Sequence, residues 1–245
     1  MALYYGFDAL QELHPTVVTV GSFDGVHAGH HRLLGQLKAM AERLSARSVV
    51  VTFEPHPRIA MHRDEGLKLL TTVEERTLLL ERYGIDCVVV AHFDEEFRRQ
   101  SYAAFVRDCL VGRLGMVGMV VGYNHRFGKG SEGSYDSLVP LAREYGFEVE
   151  RVEQYTDTGD KVSSTVVRRL IEQGDVERAR QMLAHPYIII GMAHEGVLIV
   201  EDSYKLLVGD GEYSAVVNGR ATQVEIVGRT IRFSDDVKGS VVVEL

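Results

Sequence analysis

Cysteine is scarce in this chain, with two in 245 residues. Two thiols cannot build the disulfide framework of a small secreted domain. Cys87 falls in an apolar strand-like run and Cys109 in a helix-like one, so both are expected as buried thiols in a reducing compartment. No apolar run approaches the length that spans a bilayer. The first fifteen residues carry Asp8 and Glu12 and no cationic start ahead of an apolar stretch, so they do not read as a secretory leader. Basic residues are outnumbered: 27 Lys and Arg against 35 Asp and Glu give a net charge of −8, without a basic block. That balance disfavours nucleic acid and anionic membrane as partners. Low-complexity linkers and long repeats are also missing. The expectation is a cytoplasmic protein acting on small molecules.

Hydrophobic residues make up 45% and charged residues 25%, the mixture of an ordinary globular protein. The length suits one large domain, or a standard domain with a small one. The most informative stretch is Gly21-Ser22-Phe23-Asp24-Gly25-Val26-His27-Ala28-Gly29-His30-His31. It follows a β-branched run, Thr16–Val20, and precedes a helical pattern with Leu33, Leu34, Leu37, Met40, Ala41 and Leu44 on one side. Strand, glycine-rich turn and helix together present backbone N–H groups and a helix N-terminus to phosphate. Histidines elsewhere, such as His62, His92 and His185, read as structural. The pair His27 and His30 inside a glycine turn reads as functional.

Strand-like and helix-like segments alternate up to about residue 184. Strands are expected at Thr16–Gly21, Ser48–Glu54, Asp86–Phe93, Val117–Gly122 and Phe147–Gln154. Helices are expected at His30–Leu44, Val73–Tyr83, Tyr102–Val111, Tyr135–Tyr145, Ser164–Gln173 and Val176–Leu183. Runs such as VVTV, SVVV, DCVVVA and GMVV suit strands buried on both faces of a parallel sheet covered by helices. In such sheets ligands bind beyond the carboxyl ends of the strands. Gly21–His30, Pro55–Arg58, Asn124–Gly133 and Lys161–Arg168 should therefore converge on one rim. Beyond His185-Pro186 the pattern changes to short β-branched runs, among them Lys205–Val208, with an Asn218-Gly219 hairpin signal. The expected division is an α/β domain over 1–185 and a small antiparallel β domain over 186–245.

Four ordered motifs carry a resemblance. They are Gly21–His30, Thr52-Phe53-Glu54-Pro55-His56-Pro57, Gly122-Tyr123-Asn124-His125-Arg126-Phe127-Gly128, and Val162-Ser163-Ser164-Thr165-Val166-Val167-Arg168. The HxGH signature resembles the nucleotidylyltransferase superfamily. The full set, from about Thr16 to Tyr187, resembles the adenylyltransferase module of the prokaryotic bifunctional riboflavin kinase/FAD synthetase family. The resemblance implies a Rossmann-like nucleotidylyltransferase domain with a five-stranded parallel sheet, making FAD from FMN and ATP with Mg²⁺. It implies catalytic roles for His27, His30, Ser164 and Arg168. Gly21, Ser22, Phe23, Asp24 and Gly25 would then border ATP, together with Asn124, Lys161 and Thr165. Pro55, His56, Pro57, Arg126, Phe127 and Gly128 would border the flavin. No residue set is assigned to hold a metal. The chain departs from the family loop at His125, where an aromatic usually stands, and at Ser131, often an arginine.

The C-terminal region departs further. His185–Gly191 resembles the entry into the family's riboflavin kinase barrel, but the Gly-Phe-Pro-Thr-Ala-Asn segment that should follow is replaced by Gly196-Val197-Leu198-Ile199-Val200-Glu201-Asp202-Ser203-Tyr204. A kinase without its magnesium ligands cannot easily stabilise a transferring phosphoryl group. The expectation is a truncated, degenerate kinase-like barrel and lost riboflavin kinase activity. Two other readings stay open: a nucleotidylyltransferase with another phosphate acceptor, and a non-catalytic flavin-nucleotide binding protein.

Overall fold

The computed structural model describes residues 1–9, 15–153, 156–157 and 160–245, with backbone alone for 156–157 and 160–161. By packing, the chain forms two compact units: Met1–Phe23 with Gly29–Glu65 and Leu79–Tyr155, and Asp24–Ala28 with Gly66–Leu78 and Thr156–Leu245. The change from α/β to all-β character falls between Leu183, where a helix ends, and Ile188, where a strand begins. The units are cut elsewhere: residues 156–185 group with the β region.

In chain order the α/β elements are β1 (Ala2–Tyr5), β2 (Thr16–Val20), α1 (Ala28–Arg43), β3 (Arg47–Glu54), α2 (Pro57–Ala60), α3 (Val73–Arg82), β4 (Cys87–His92), α4 (Glu95–Arg99), α5 (Tyr102–Ala104), β5 (Met116–Gly122), α6 (Tyr135–Tyr145) and β6 (Glu148–Val152). The sheet order is β1-β4-β3-β2-β5-β6, and every pairing is parallel. All five residues of β2 are buried, as its uninterrupted β-branched run requires. The sheet has six strands rather than five. The extra edge strand, β1, alternates half-buried and exposed residues over four positions, too short a signal to read in a sequence. Strand order reverses at β2, between β3 and β5, which puts the topological switch point at the Gly21 turn. The helix expected at Tyr102–Val111 starts as α5 and continues as a π-helix, Phe105–Val111, with Gly112 N donating to Arg107 O at 2.9 Å. A core of Val18, Val49, Val89, Met119, Val106 and Leu138 lies between sheet and helices.

The second unit contains the short hairpin β7 (Thr156–Asp157) and β8 (Asp160–Lys161), then α7 (Ser164–Glu172) and α8 (Val176–Leu183). The strands β9 (Ile188–His194), β10 (Val197–Ile199), β11 (Gly211–Val217), β12 (Arg220–Val227), β13 (Thr230–Phe233) and β14 (Gly239–Glu244) follow. They close into an antiparallel barrel, β10-β13-β12-β11-β14-β9. Asn218 (φ 47°) and Gly219 (φ 82°) form the β11–β12 turn, both left-handed, as a tight hairpin needs. Ile189, Ala193, Leu198, Ile226, Ile231 and Val243 fill the interior, each at most 1% exposed. The strand expected at Lys205–Val208 is absent. Lys205 makes only an isolated parallel bridge to Leu69, because its side chain turns into the core rather than along a strand face. Among the described residues no helix is long and apolar enough to cross a membrane.

Candidate functional site

Two groups of residues emerge, one in each unit. In the first unit a cavity of about 460 Å³ opens beyond the carboxyl ends of β2, β3, β4 and β5, a size that suits a small aromatic ligand. The Gly21 turn reaches it because Gly21 N donates to Val51 O at 3.0 Å and Thr52 Oγ1 donates to Ser22 O at 3.2 Å. One wall is a run of mostly edge-to-face rings: Phe53 to Phe93 at 5.4 Å, Phe93 to Phe97 at 5.6 Å and Phe97 to Phe105 at 5.4 Å. This geometry favours aromatic pairs through their quadrupoles. The lining also includes Phe23, whose ring meets His30 at 4.9 Å, and Phe127, stacked on His125 at 5.4 Å and edge-on to Phe105 at 6.3 Å.

The loop after β5 is fixed tightly. Gly128 has φ 73°, and a Cβ there would lie 2.7 Å from Tyr102 N, so only glycine fits. Phe127 and Gly133 exchange backbone hydrogen bonds at 3.2 and 2.9 Å, and Lys129 N donates to Gln100 O at 3.1 Å. His125 lines the cavity with its Nε2 sealed from solvent and without a hydrogen-bond partner. Burial lowers its pKa to about 4, because desolvation disfavours the charged imidazolium, so the ring is neutral at pH 7. His56 caps α2, its Nδ1 accepting from Arg58 N at 3.2 Å, which places its proton on Nε2.

In the second unit the Asp24–Ala28 segment is wired to α7. Arg168 Nη2 donates to Asp24 Oδ2 at 2.7 Å. Thr71 N and Oγ1 donate to Asp24 Oδ1 at 2.9 and 3.2 Å, and Ser164 Oγ donates to Asp24 O at 2.9 Å. Gly25 N donates to Thr71 Oγ1 at 3.0 Å, and His185 Nε2 lies 3.0 Å from Gly25 O. Gly25 has φ 80°, and a Cβ there would sit 2.6 Å from Leu70 Cδ1. Asp24 is 2% exposed and His27, three residues on, 7%. The cap of α7 is Ser163, accepting from Val166 N at 3.4 Å, which leaves the Ser164 hydroxyl for Asp24.

The expected residues thus distribute unevenly. Gly21, Ser22, Phe23, His30, His56 and Pro57 line the cavity, as do Arg126, Phe127 and Gly128. Pro55 and Asn124 do not. Asp24, Gly25, His27, Ser164 and Arg168 belong to the second unit, where Thr165 is exposed in the first turn of α7 and the Lys161 side chain lies outside the described residues. The Asp24 carboxylate, expected to border ATP, accepts from Arg168 and Thr71. Thr71, Phe93, Phe97, Gln100 and Phe105 were not legible as site residues. Phe53 was marked only by its place in the second motif. Among the described residues no group of three or more His, Cys, Asp and Glu is placed to hold a metal ion.

A family model described as FAD synthetase matches residues 9–166. The bifunctional riboflavin kinase/FMN adenylyltransferase of Listeria monocytogenes is 35% identical over 181 residues, covering 74% of this chain and 57% of that protein. The protein of the same name from Escherichia coli K12 is 33% identical over 180 residues, with 74% and 58% covered. That from Bacillus subtilis is 32% identical over 187 residues, with 76% and 58% covered. The chain spans little more than half the length of these relatives. A crystal structure described as a macrolide-efflux protein from Streptococcus pneumoniae aligns with a TM-score of 0.82 over 99% of this chain and 88% of that one, at 24% identity, a likeness of fold alone. With more than half of its residues matched by that family model, the chain belongs to the FAD synthetase family.

Proposed function

We propose that this chain transfers AMP from ATP to FMN, giving FAD and pyrophosphate, and that it lacks riboflavin kinase activity. The observation that carries the reading is the aromatic cavity at the switch point of the sheet, with His30 of the HxGH signature in its wall. A flavin ring fits between aromatic faces, and the exposed Arg126 at the cavity suits an anionic phosphate tail. The oxygen of the FMN phosphate attacks the α-phosphorus of ATP in line, the new P–O bond forms, and the bond to the bridging oxygen of pyrophosphate breaks. Such a transfer asks the protein for positioning and charge stabilisation. His27 and His30 donate ring N–H groups to the α-phosphate and the leaving pyrophosphate as charge builds there. Ser164 and Arg168 hold the β- and γ-phosphates at the start of α7, with Asp24 fixing the guanidinium.

Mg²⁺ would enter as a complex with ATP, held by phosphate oxygens rather than by a carboxylate cluster of the described residues, and would supply neutralisation of phosphate charge. A cytoplasmic location goes with ATP as co-substrate. Residues 1–185 carry the transfer, and residues 186–245 are the kinase-like remnant. The support for lost kinase activity is Gly196–Tyr204, which stands where the Thr/Asn segment belongs.

FAD formation from FMN and Mg-ATP is the expected result, beside no FMN from riboflavin and Mg-ATP. Absence of FAD would refute the first claim, and clear FMN formation the second. A second acceptor is the competing reading, favoured by His125 in the cavity wall. A screen of phosphorylated acceptors with ATP and CTP, read by pyrophosphate release, separates the two.

A further inference from the structure

Between α3 and the segment that joins β10 to β11 lies a fully buried ion pair. Lys205 and Glu75 are both 0% exposed in their side chains and 2.7 Å apart. The ammonium has three N–H donors, and each has an acceptor: Leu70 O at 2.7 Å, Glu75 Oε2 at 2.7 Å and Ile188 O at 2.8 Å. It also sits 4.3 Å from the centre of the Tyr187 ring. Glu75 is just as fully engaged. Its Oε2 also accepts from Thr72 N at 2.8 Å, and its Oε1 accepts from Ile190 N in β9 at 3.0 Å. Glu75 N in turn donates to Thr72 Oγ1 at 3.2 Å, a reciprocal cap at the start of α3.

The backbone of the same segment is clamped by the residues around Lys205. Leu69 N donates to Tyr204 O at 2.7 Å, and Leu206 N donates to Leu69 O at 2.8 Å. Residues 69, 70 and 72 are therefore tied toward the barrel, directly or through Glu75. Residue 71, between them, points its hydroxyl and N–H at Asp24. Asp24 in turn holds Arg168, and Ser164 closes on its carbonyl. All of these residues belong to one compact unit. Packing alone does not call for this arrangement, because a buried ion pair is commonly no more stabilising than apolar residues of similar volume. What the pair adds is direction: three acceptors around one ammonium fix the path of residues 69–72.

We propose that Lys205 and Glu75 are positioning residues for adenylyl transfer: the barrel, through this pair, fixes Thr71 on Asp24 and so aims Arg168. The proposal rests on the reading of Ser164 and Arg168 as the phosphate-holding residues. It gives the remnant barrel a role as a strut for that part of the site.

The test uses the full chain. The single variant Lys205→Met leaves Glu75 buried and uncompensated, and misfolding is a risk. The double variant Lys205→Met/Glu75→Leu keeps an apolar pair in its place. The measurements are melting temperature, ATP affinity by calorimetry, FMN affinity by flavin fluorescence, and kcat and KM for ATP in FAD formation. The expected double variant melts close to wild type and holds FMN within about twofold. Its kcat/KM for ATP falls about tenfold or more, as misplacement of a phosphate-holding group does. Thr71→Val, which deletes the hydroxyl on Asp24, should lose in the same parameters, and Thr71→Ser should restore them. A folded double variant with wild-type ATP kinetics overturns the proposal. If the wild-type chain binds ATP but forms no FAD, the adenylyltransferase reading fails on its own. The strut is then judged on ATP affinity, and an unchanged affinity in the double variant overturns it.

Discussion

Replacing Asp24 by asparagine isolates the contact on which the proposed phosphate-holding role of Arg168 depends. The carboxylate is 3% exposed and the Arg168 side chain 15%, so the pair is shielded from water and the modest value of a surface ion pair does not apply. Asparagine keeps one acceptor for Thr71 but turns an amide donor, or an uncharged carbonyl, toward the Arg168 guanidinium. Breaking a buried pair in this way costs about 3 kcal/mol, much of it from the charge left without a partner. For a chain of this size that is a fall in melting temperature of about 6–12 °C. Differential scanning fluorimetry without ligand reads it. Steady-state FAD formation should show a kcat/KM for ATP lower by about a hundredfold, since the guanidinium is no longer aimed. A double-mutant cycle with Arg168→Met separates the pair from each residue's own packing, and a coupling of about 2 kcal/mol is expected. A melting point within about 2 °C of wild type together with a coupling near zero would refute the argument.

Three further outcomes follow from the geometry. His30→Ala, and separately His27→Ala, should lower kcat by about tenfold to a hundredfold while FMN fluorescence quenching persists, because a hydrogen bond to a charged phosphate contributes roughly 1.5–3 kcal/mol; an unchanged kcat removes the role. His125 has a folded-state pKa of about 4 against an ordinary 6.5, so the unfolded chain binds the extra proton first and stability falls as pH drops from about 6.5 to 4. That loss is on the order of 3 kcal/mol, and His125→Phe should remove that portion of the acid sensitivity in pH-dependent melts, so an identical slope in the variant would contradict it. Gly128→Ala should destabilise by about 1–3 kcal/mol and weaken FMN binding, because the new Cβ meets Tyr102 at 2.7 Å; a variant with full stability and affinity would show that the loop relaxes freely.

The sheet was largely legible because its signal is local. Runs such as Val17–Val20 and Val49–Phe53 are buried on both faces and mostly β-branched or aromatic, and a strand buried on both sides tends to read that way. The barrel was legible for a different reason: Asn218-Gly219 and β-branched runs between turn residues specify hairpins at short range. The misreadings share one cause. β1 is four residues long, and only pairing with β4 makes it a strand. Lys205–Val208 has strand composition, but its backbone partner is Leu69, far away in the chain. The cavity wall was half legible. The glycine turn, His56 and the Arg126–Gly128 loop announce themselves by unusual residues. Phe93, Phe97 and Phe105 do not, since an aromatic in an apolar stretch reads the same in a core as in a ligand wall.

Asp24 is the most instructive case, because a physical signal in the sequence pointed to its role. A carboxylate in a turn that binds phosphate would repel the ligand unless a cation neutralised it, so on the proposed reading Asp24 calls for a positive partner. Arg168, one turn into α7, is that cation. The same logic applies to Glu75. Its place in Thr72-Val73-Glu74-Glu75 suits a helix cap, and a capping glutamate at a helix start is ordinarily solvent-exposed. Burial to 0% demands a positive partner, which Lys205 supplies from 130 residues away. For Glu75 the need for a counter-charge comes from its burial, and in both places the partner's identity depends on which distant segments the fold brings together.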